Sequence, residues 1–160
     1  MLAVKLICVG KMRERFYIDA FEEYRKRLQS LCRLELCEIQ EQRLPEDPSP
    51  ASVAAALEKE EQEILRVLPP DAYVTALCVE GQQMPSEGMA ALIREREGSG
   101  RPKLCFIIGG SFGLSDTVKT RADRRLSMSR MTFPHHLARV MLIEQLYRGF
   151  KINEGSRYHK

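Results

Sequence analysis

Five short apolar runs punctuate this sequence, and a helix-patterned segment follows each of them. That alternation restricts the chain to α/β architectures with a mainly parallel sheet, because an intervening helix lets consecutive strands run in the same direction. The first run, residues 1–10, ends at Gly10 and lacks the basic leader and small-residue cleavage site of an export signal. Residues 14–31 follow with Phe21, Tyr24, Leu28 and Leu31 on one helical stripe. Residues 33–40 alternate as a second strand. Ser49 is then placed to cap a helix whose first position is Pro50, and the Ala-, Glu- and Leu-rich segment 51–68 propagates it as far as Pro69-Pro70. A third strand over 72–79 closes at Glu80-Gly81, and a helix over 85–97 breaks at Gly98-Ser99-Gly100. Residues 104–108 are continuously apolar, as in a strand covered on both faces. Ser115-Asp116 predicts a helix as far as Arg124, a short strand over 126–129 comes next, and the last helix spans 134–150. No repeat or linker interrupts this order, so residues 1–160 read as one domain.

Charge adds a location. The net charge of +3 conceals a balance of −4 over residues 1–116 and +7 over residues 117–160. The basic charge therefore gathers toward the C-terminal end, predicting one cationic face. No apolar run approaches the ~20 residues that span a bilayer, and none of the five cysteines forms a Cys-x-x-Cys pair. Reduced thiols in a cytosolic protein are the expectation. A metal site is not expected, because His135 and His136 are neighbours on a helix and the third histidine is distant.

Two segments carry candidate chemistry. Gly109 and Gly110 follow the most apolar strand, where open α/β sheets bind ligands, and a glycine pair lets a ligand approach the backbone. The pattern Gly-Gly-x-x-Gly is neither the dinucleotide fingerprint nor a phosphate loop, and the following segment has no acid to hold a ribose. That weighs against a Rossmann-like oxidoreductase; a tight turn with no ligand is equally compatible with the spacing. The second segment is the last helix, whose apolar residues exceed the stripe of a surface helix. It is either wholly internal or shared between the core and a second subunit. Glu144 and Arg148 can pair across one turn of it. Beyond it, Arg157-Tyr158-His159-Lys160 places an aromatic and a histidine between cations, a combination that stacks on bases and touches phosphate, or is a free tail.

Four stretches together resemble the large-subunit rRNA methyltransferase H family of the SPOUT superfamily. They are Ile107-Ile108-Gly109-Gly110-Ser111-Phe112-Gly113-Leu114-Ser115, Ser127-Met128-Ser129-Arg130-Met131-Thr132-Phe133-Pro134-His135, Glu144-Gln145-Leu146-Tyr147-Arg148 and Tyr158-His159-Lys160. The resemblance covers the chain in length and element order and is most specific over its last 55 or so residues. His136 and Gly149 depart from it, standing where many relatives have proline or glutamine and alanine. It implies a trefoil-knotted α/β fold, a homodimer, and an S-adenosylmethionine site at the knot. The implied reaction is methylation of N3 of a pseudouridine in 23S rRNA, in a stem-loop at the subunit interface of the assembled 70S ribosome. Carried onto this chain, the cofactor residues are Leu77, Gly109, Gly110, Met128, Ser129, Arg130, Met131, Thr132 and Phe133. The expected catalytic set is His135 or His159 as base, Arg139 and Arg148 toward negative charge, and Tyr158, with Tyr147, for stacking. Substrate orientation by the tail ranks above a dedicated base. The alternative is a non-catalytic, ribosome-associated RNA-binding module of the same fold.

Overall fold

The computed structural model describes residues 1–160, and ten elements follow one another in the expected alternation: β1 (Ala3–Val9), α1 (Arg15–Leu28), β2 (Arg33–Ile39), α2 (Pro50–Val67), β3 (Tyr73–Gln82), α3 (Ser86–Glu97), β4 (Lys103–Ile108), α4 (Asp116–Arg121), β5 (Arg124–Leu126) and α5 (His135–Asn153). The strands form one sheet in the order β2-β1-β4-β3-β5, and every ladder is parallel. Side chains alternate across the sheet and divide the core in two. Val4, Leu6, Cys8, Leu104, Phe106 and Ile108 pack with Phe21, Ile93 and Leu142 from α1, α3 and α5. Ile7, Val9, Cys105 and Ile107 face the other way, toward Ile64 of α2 and Val118 of α4. Helices thus cover both faces, which explains the uninterrupted apolarity of β4.

Several boundaries differ from the sequence reading: α1 ends at Leu28 rather than Leu31, α5 runs on to Asn153 rather than Phe150, and three further differences have visible causes or bear on the site. β3 does not end at Glu80-Gly81: it bulges after Leu77 and returns to the sheet, so Leu77 and Gln82 both pair with Leu126. Gly81 makes this possible, because a Cβ there would lie 2.8 Å from the Arg125 backbone. α4 stops at Arg121 rather than running to Arg124, and β5 precedes the expected 126–129 segment. Asp123 causes the change: its N–H donates to the Val74 carbonyl, while its carboxylate accepts the Val74 N–H, each at 2.8 Å. The edge of β3 offers bonds that a continuing helix would forgo.

α5 is tied into this frame at both ends. Near its end, Gly149 lets α3 approach so closely that a Cβ would sit 2.7 Å from Ile93 Cδ1. Near its start, Arg139 is fully buried, donating through Nη1 to Glu38 at 2.8 Å and through Nη2 to the Gly10 carbonyl at 3.0 Å. The stripe of Leu137, Val140, Met141 and Tyr147 remains only half-buried, so α5 is not wholly internal to one chain. The five cysteines are free thiols, and burial pushes Cys8 and Cys105 up to about 12 and Cys32 to about 11. No helix is long and apolar enough to cross a membrane.

Removing one partner of a buried ion pair costs about 3–5 kcal/mol. Arg139→Ala is expected at the lower end of that range, since Glu38 keeps a third of its side chain in solvent and can rehydrate. Urea unfolding of the variant against the unaltered protein measures it.

Candidate functional site

The carboxyl ends of β3 and β4 open into a cleft of about 740 Å³, within the range of small-molecule sites. One wall is Leu77 and the bulge that follows it; another is the loop from Gly109 to Leu114; the third is Met128, Ser129, Met131, Thr132 and Phe133. His135, the first residue of α5, stands at the junction with the loop. The structure therefore gathers every expected cofactor residue around one cleft except Arg130, which is exposed and outside its lining. Gly109 is required by close approach, since a Cβ there would strike the Gly113 backbone; a Cβ on Gly110 would lie 2.6 Å from Glu41 Oε1 and would displace that flexible side chain. The loop closes on itself through Gly113 N–H to Gly110 O at 3.0 Å, with Gly113 at φ +77°. Apolar walls beside exposed backbone suit a flat, uncharged ring with a polar edge, and no phosphate-binding pattern is present.

A second cleft of about 870 Å³ adjoins the first, and Ser111, Phe112 and His135 belong to both. The imidazoles of His135 and His136 meet here at a centroid distance of 4.1 Å. Both Nε2 atoms come within 3.6 Å of the position a Cβ on Gly10 would take. Neighbouring residues on a helix were expected to diverge. At a first turn, with Gly10 at φ +94° leaving space, the two rings instead converge. No group of three or more His, Cys, Asp or Glu residues is placed to hold a metal ion. Burial, followed by the proximity of His136, lowers the pKa of His135.

The remaining expected residues lie elsewhere. Arg139 lines neither cleft, and its two bonded nitrogens are occupied by Glu38 and Gly10, so it acts as a tie within the fold. Arg148, Tyr158 and His159 form a cluster 13 residues along α5 from His135, about 20 Å at 1.5 Å per residue. The tail is not free. Gly155, at φ +71°, reverses the chain, and Tyr158 packs edge-on against Tyr147 with centroids 4.9 Å apart. Arg148 donates to Glu144 at 2.6 and 2.9 Å and lies over the Tyr158 ring. The Tyr158 hydroxyl donates to the same carboxylate at 3.2 Å. Because Arg148 has only donors to offer, His159 Nδ1 accepts from it at 3.1 Å and Nε2 donates to Glu87 of α3 at 2.9 Å. Burial, with Tyr24 and Glu144 nearby, pushes the Tyr158 phenol up. Sequence reasoning missed Glu41, Glu38 and Glu87; each is one acid among many in a polar stretch, and only the folded chain sets it opposite its partner.

The family model described as "Predicted SPOUT methyltransferase" matches residues 2–159. Curated proteins named Ribosomal RNA large subunit methyltransferase H are similar over nearly the whole chain. The one from Bifidobacterium animalis subsp. lactis is 46% identical over 157 residues, covering 98% of this chain and 99% of that protein. The one from Bacillus pumilus is 43% identical with the same coverage, and the one from Enterococcus faecalis is 42% identical over 99% of this chain and all of that protein. This chain belongs to the SPOUT methyltransferase family and, within it, to the methyltransferase H group. A solved structure described as a "Probable Methyltransferase from Bordetella pertussis Tohama I" shares the fold, with a TM-score of 0.60 and 15% identity over 92% of this chain and 93% of that one. The cleft is thus the candidate site for a methyl donor.

The lowered pKa of His135 links its protonation to unfolding. The unfolded chain takes up this proton first, so stability present above the ordinary value of 6.5 falls away as the pH drops through and below it. His135→Gln is expected to lose less melting temperature than the unaltered protein between pH 7 and pH 5, as measured by calorimetric scans.

Proposed function

We propose that this chain is a single-domain, homodimeric, cytoplasmic enzyme that transfers a methyl group from S-adenosylmethionine to N3 of a pseudouridine in 23S rRNA of the assembled 70S ribosome. The observation that carries the reading is the first cleft, where the Gly109-Gly110 backbone faces the apolar side chains of Leu77, Met128, Met131 and Phe133. In a bound complex these residues hold the adenine, and the cofactor supplies an electrophilic methyl group. The name shared by the curated relatives supports rRNA as the substrate. The path of residues 109–133 around the cleft is proposed as the trefoil knot of the superfamily.

Displacement at carbon needs alignment above all, so most of the catalysis is positioning. The N3 proton must leave as the nitrogen attacks. His135 borders the cleft, and its lowered pKa keeps it neutral and able to take that proton near pH 7. The Arg148–Tyr158–His159 cluster orients the RNA: Arg148, held by Glu144 and His159, fixes the Tyr158 ring to meet a base, and the unpaired Arg157 and Lys160 beside it face phosphate. The distance along α5 separates this cluster from the cleft of its own chain. The half-buried α5 stripe supports a dimer in which the tail of one chain serves the cleft of the other.

Labelled methyl is expected to pass to intact 70S ribosomes and not to free 50S subunits. Labelling of neither would leave the non-catalytic RNA-binding reading in its place. Tyr158→Ala with His159→Ala is expected to lower transfer at least tenfold while cofactor affinity, measured by calorimetry, stays unchanged. Raising salt from 50 to 200 mM is expected to weaken ribosome binding steeply and cofactor binding hardly at all.

A further inference from the structure

We infer that Glu41 is a positioning residue, whose carboxylate holds the Gly109-to-Gly113 loop from behind in the shape that receives the methyl donor in front. The inference rests on the cofactor reading above and extends it to a residue on the far wall of the loop. Glu41 lies two residues beyond β2, and its Oε1 accepts hydrogen bonds from both the Ser111 N–H and the Ser111 hydroxyl, each at 3.1 Å. The same oxygen lies 2.6 Å from where a Cβ on Gly110 would sit, so a side chain there would push the carboxylate out of its place. The other oxygen, Oε2, faces Gly10 and lies 4.0 Å from His135 Nε2. One side chain therefore touches the glycine loop, the turn after β1 and the first residue of α5, the three pieces that meet at the wall between the two clefts.

The physical need for such a clamp is clear from the loop itself. Three glycines in five residues give it more backbone freedom than any other segment of the site, and its own closure is a single bond from Gly113 to Gly110. Without a clamp, a ligand would have to order the loop on binding and would lose affinity in proportion. A carboxylate accepting two bonds from one residue is a charge-assisted clamp, stronger than neutral hydrogen bonds. Glu41 is itself held in place: the buried Glu60 of α2 accepts the N–H of Gln42, the next residue, at 2.9 Å. Support thus passes from α2 to the 40–46 segment and on to the loop.

The test compares Glu41→Ala, Glu41→Gln and Ser111→Ala by S-adenosylmethionine titration calorimetry, by amide hydrogen exchange at Ser111 in the free protein, and by melting temperature. Glu41→Ala is expected to weaken cofactor binding about tenfold to a hundredfold, in line with two bonds to a charged group, and to speed Ser111 exchange before any cofactor is added. Glu41→Gln, which keeps an acceptor oxygen but loses the charge, is expected to restore part of both. Ser111→Ala is expected to cost less, and to add little on top of Glu41→Ala. If the unaltered protein binds S-adenosylmethionine but Glu41→Ala binds it equally well, or if Glu41→Gln fails as badly as Glu41→Ala, the role of Glu41 is overturned. If Glu41→Ala does not fold, Ser111→Ala with unchanged affinity and unchanged exchange overturns it instead. Absence of binding by the unaltered protein overturns the cofactor reading, a distinct result.

Discussion

A guanidinium buried in the protein interior governs how the last helix meets the sheet. Arg139 has no solvent contact, and a charge so placed is tolerable only where fixed acceptors meet it. Those acceptors, Glu38 and the Gly10 carbonyl, sit at the ends of β2 and β1, which are neighbours because the two strands pair in parallel from Ala3↔Arg33 to Val9↔Ile39. Sliding or rotating α5 by a residue would strand the charge. The same tie brings His135, one turn earlier, to the wall between the two clefts. An apolar contact of equal area would bind the helix but leave its register less restricted.

The electrostatics of the C-terminal third become more specific in the folded chain. Of its ten cations, Lys119, Arg139, Arg148 and Lys151 are engaged with Glu80, Glu38, Glu144 and Glu154. Arg121, Arg124, Arg125 and Arg130 form no ion pair; they lie on α4's end, β5 and the segment leading to the cleft's third wall, and Arg157 and Lys160 lie on the tail. The unpaired charge thus lies beside the first cleft on one side and the tail cluster on the other. The pairing of Arg148 with Glu144 also gives the tail its docking place, since the same carboxylate accepts the Tyr158 hydroxyl.

Local patterns made much of the fold legible. Ser49 caps α2 by accepting the Ser52 N–H, as its position before Pro50 predicted, and Ser115 caps α4 through Val118. The glycine pair lies where a ligand can approach the backbone, and eight of the nine expected cofactor residues share one cleft. The misjudged boundaries of β3 and α4 arise where distant backbone competes for hydrogen bonds: Asp123 leaves a helix for the edge of β3, and Gly81 allows a strand to bulge and return. The converging histidines and the docked tail were misjudged for a related reason. Their placements depend on Gly10, Glu87 and Glu144, and the first two are far from them in the chain.

The sequence by itself determined the order of elements, the parallel sheet, the capping of α2 and α4 and the glycine loop, because periodicity, propensity and caps act over a few residues. Only the tertiary structure decided which polar groups face one another: Arg139 with Glu38, His135 with Glu41, His159 with Glu87. Each of these pairs joins residues more than seventy positions apart. Their partnership follows from burial and strand order, and a charged residue carries the same local pattern whether its partner is solvent, phosphate or another side chain. For that reason the sequence could mark Arg139 as a functional cation, and only the packed interior could show it to be a structural tie.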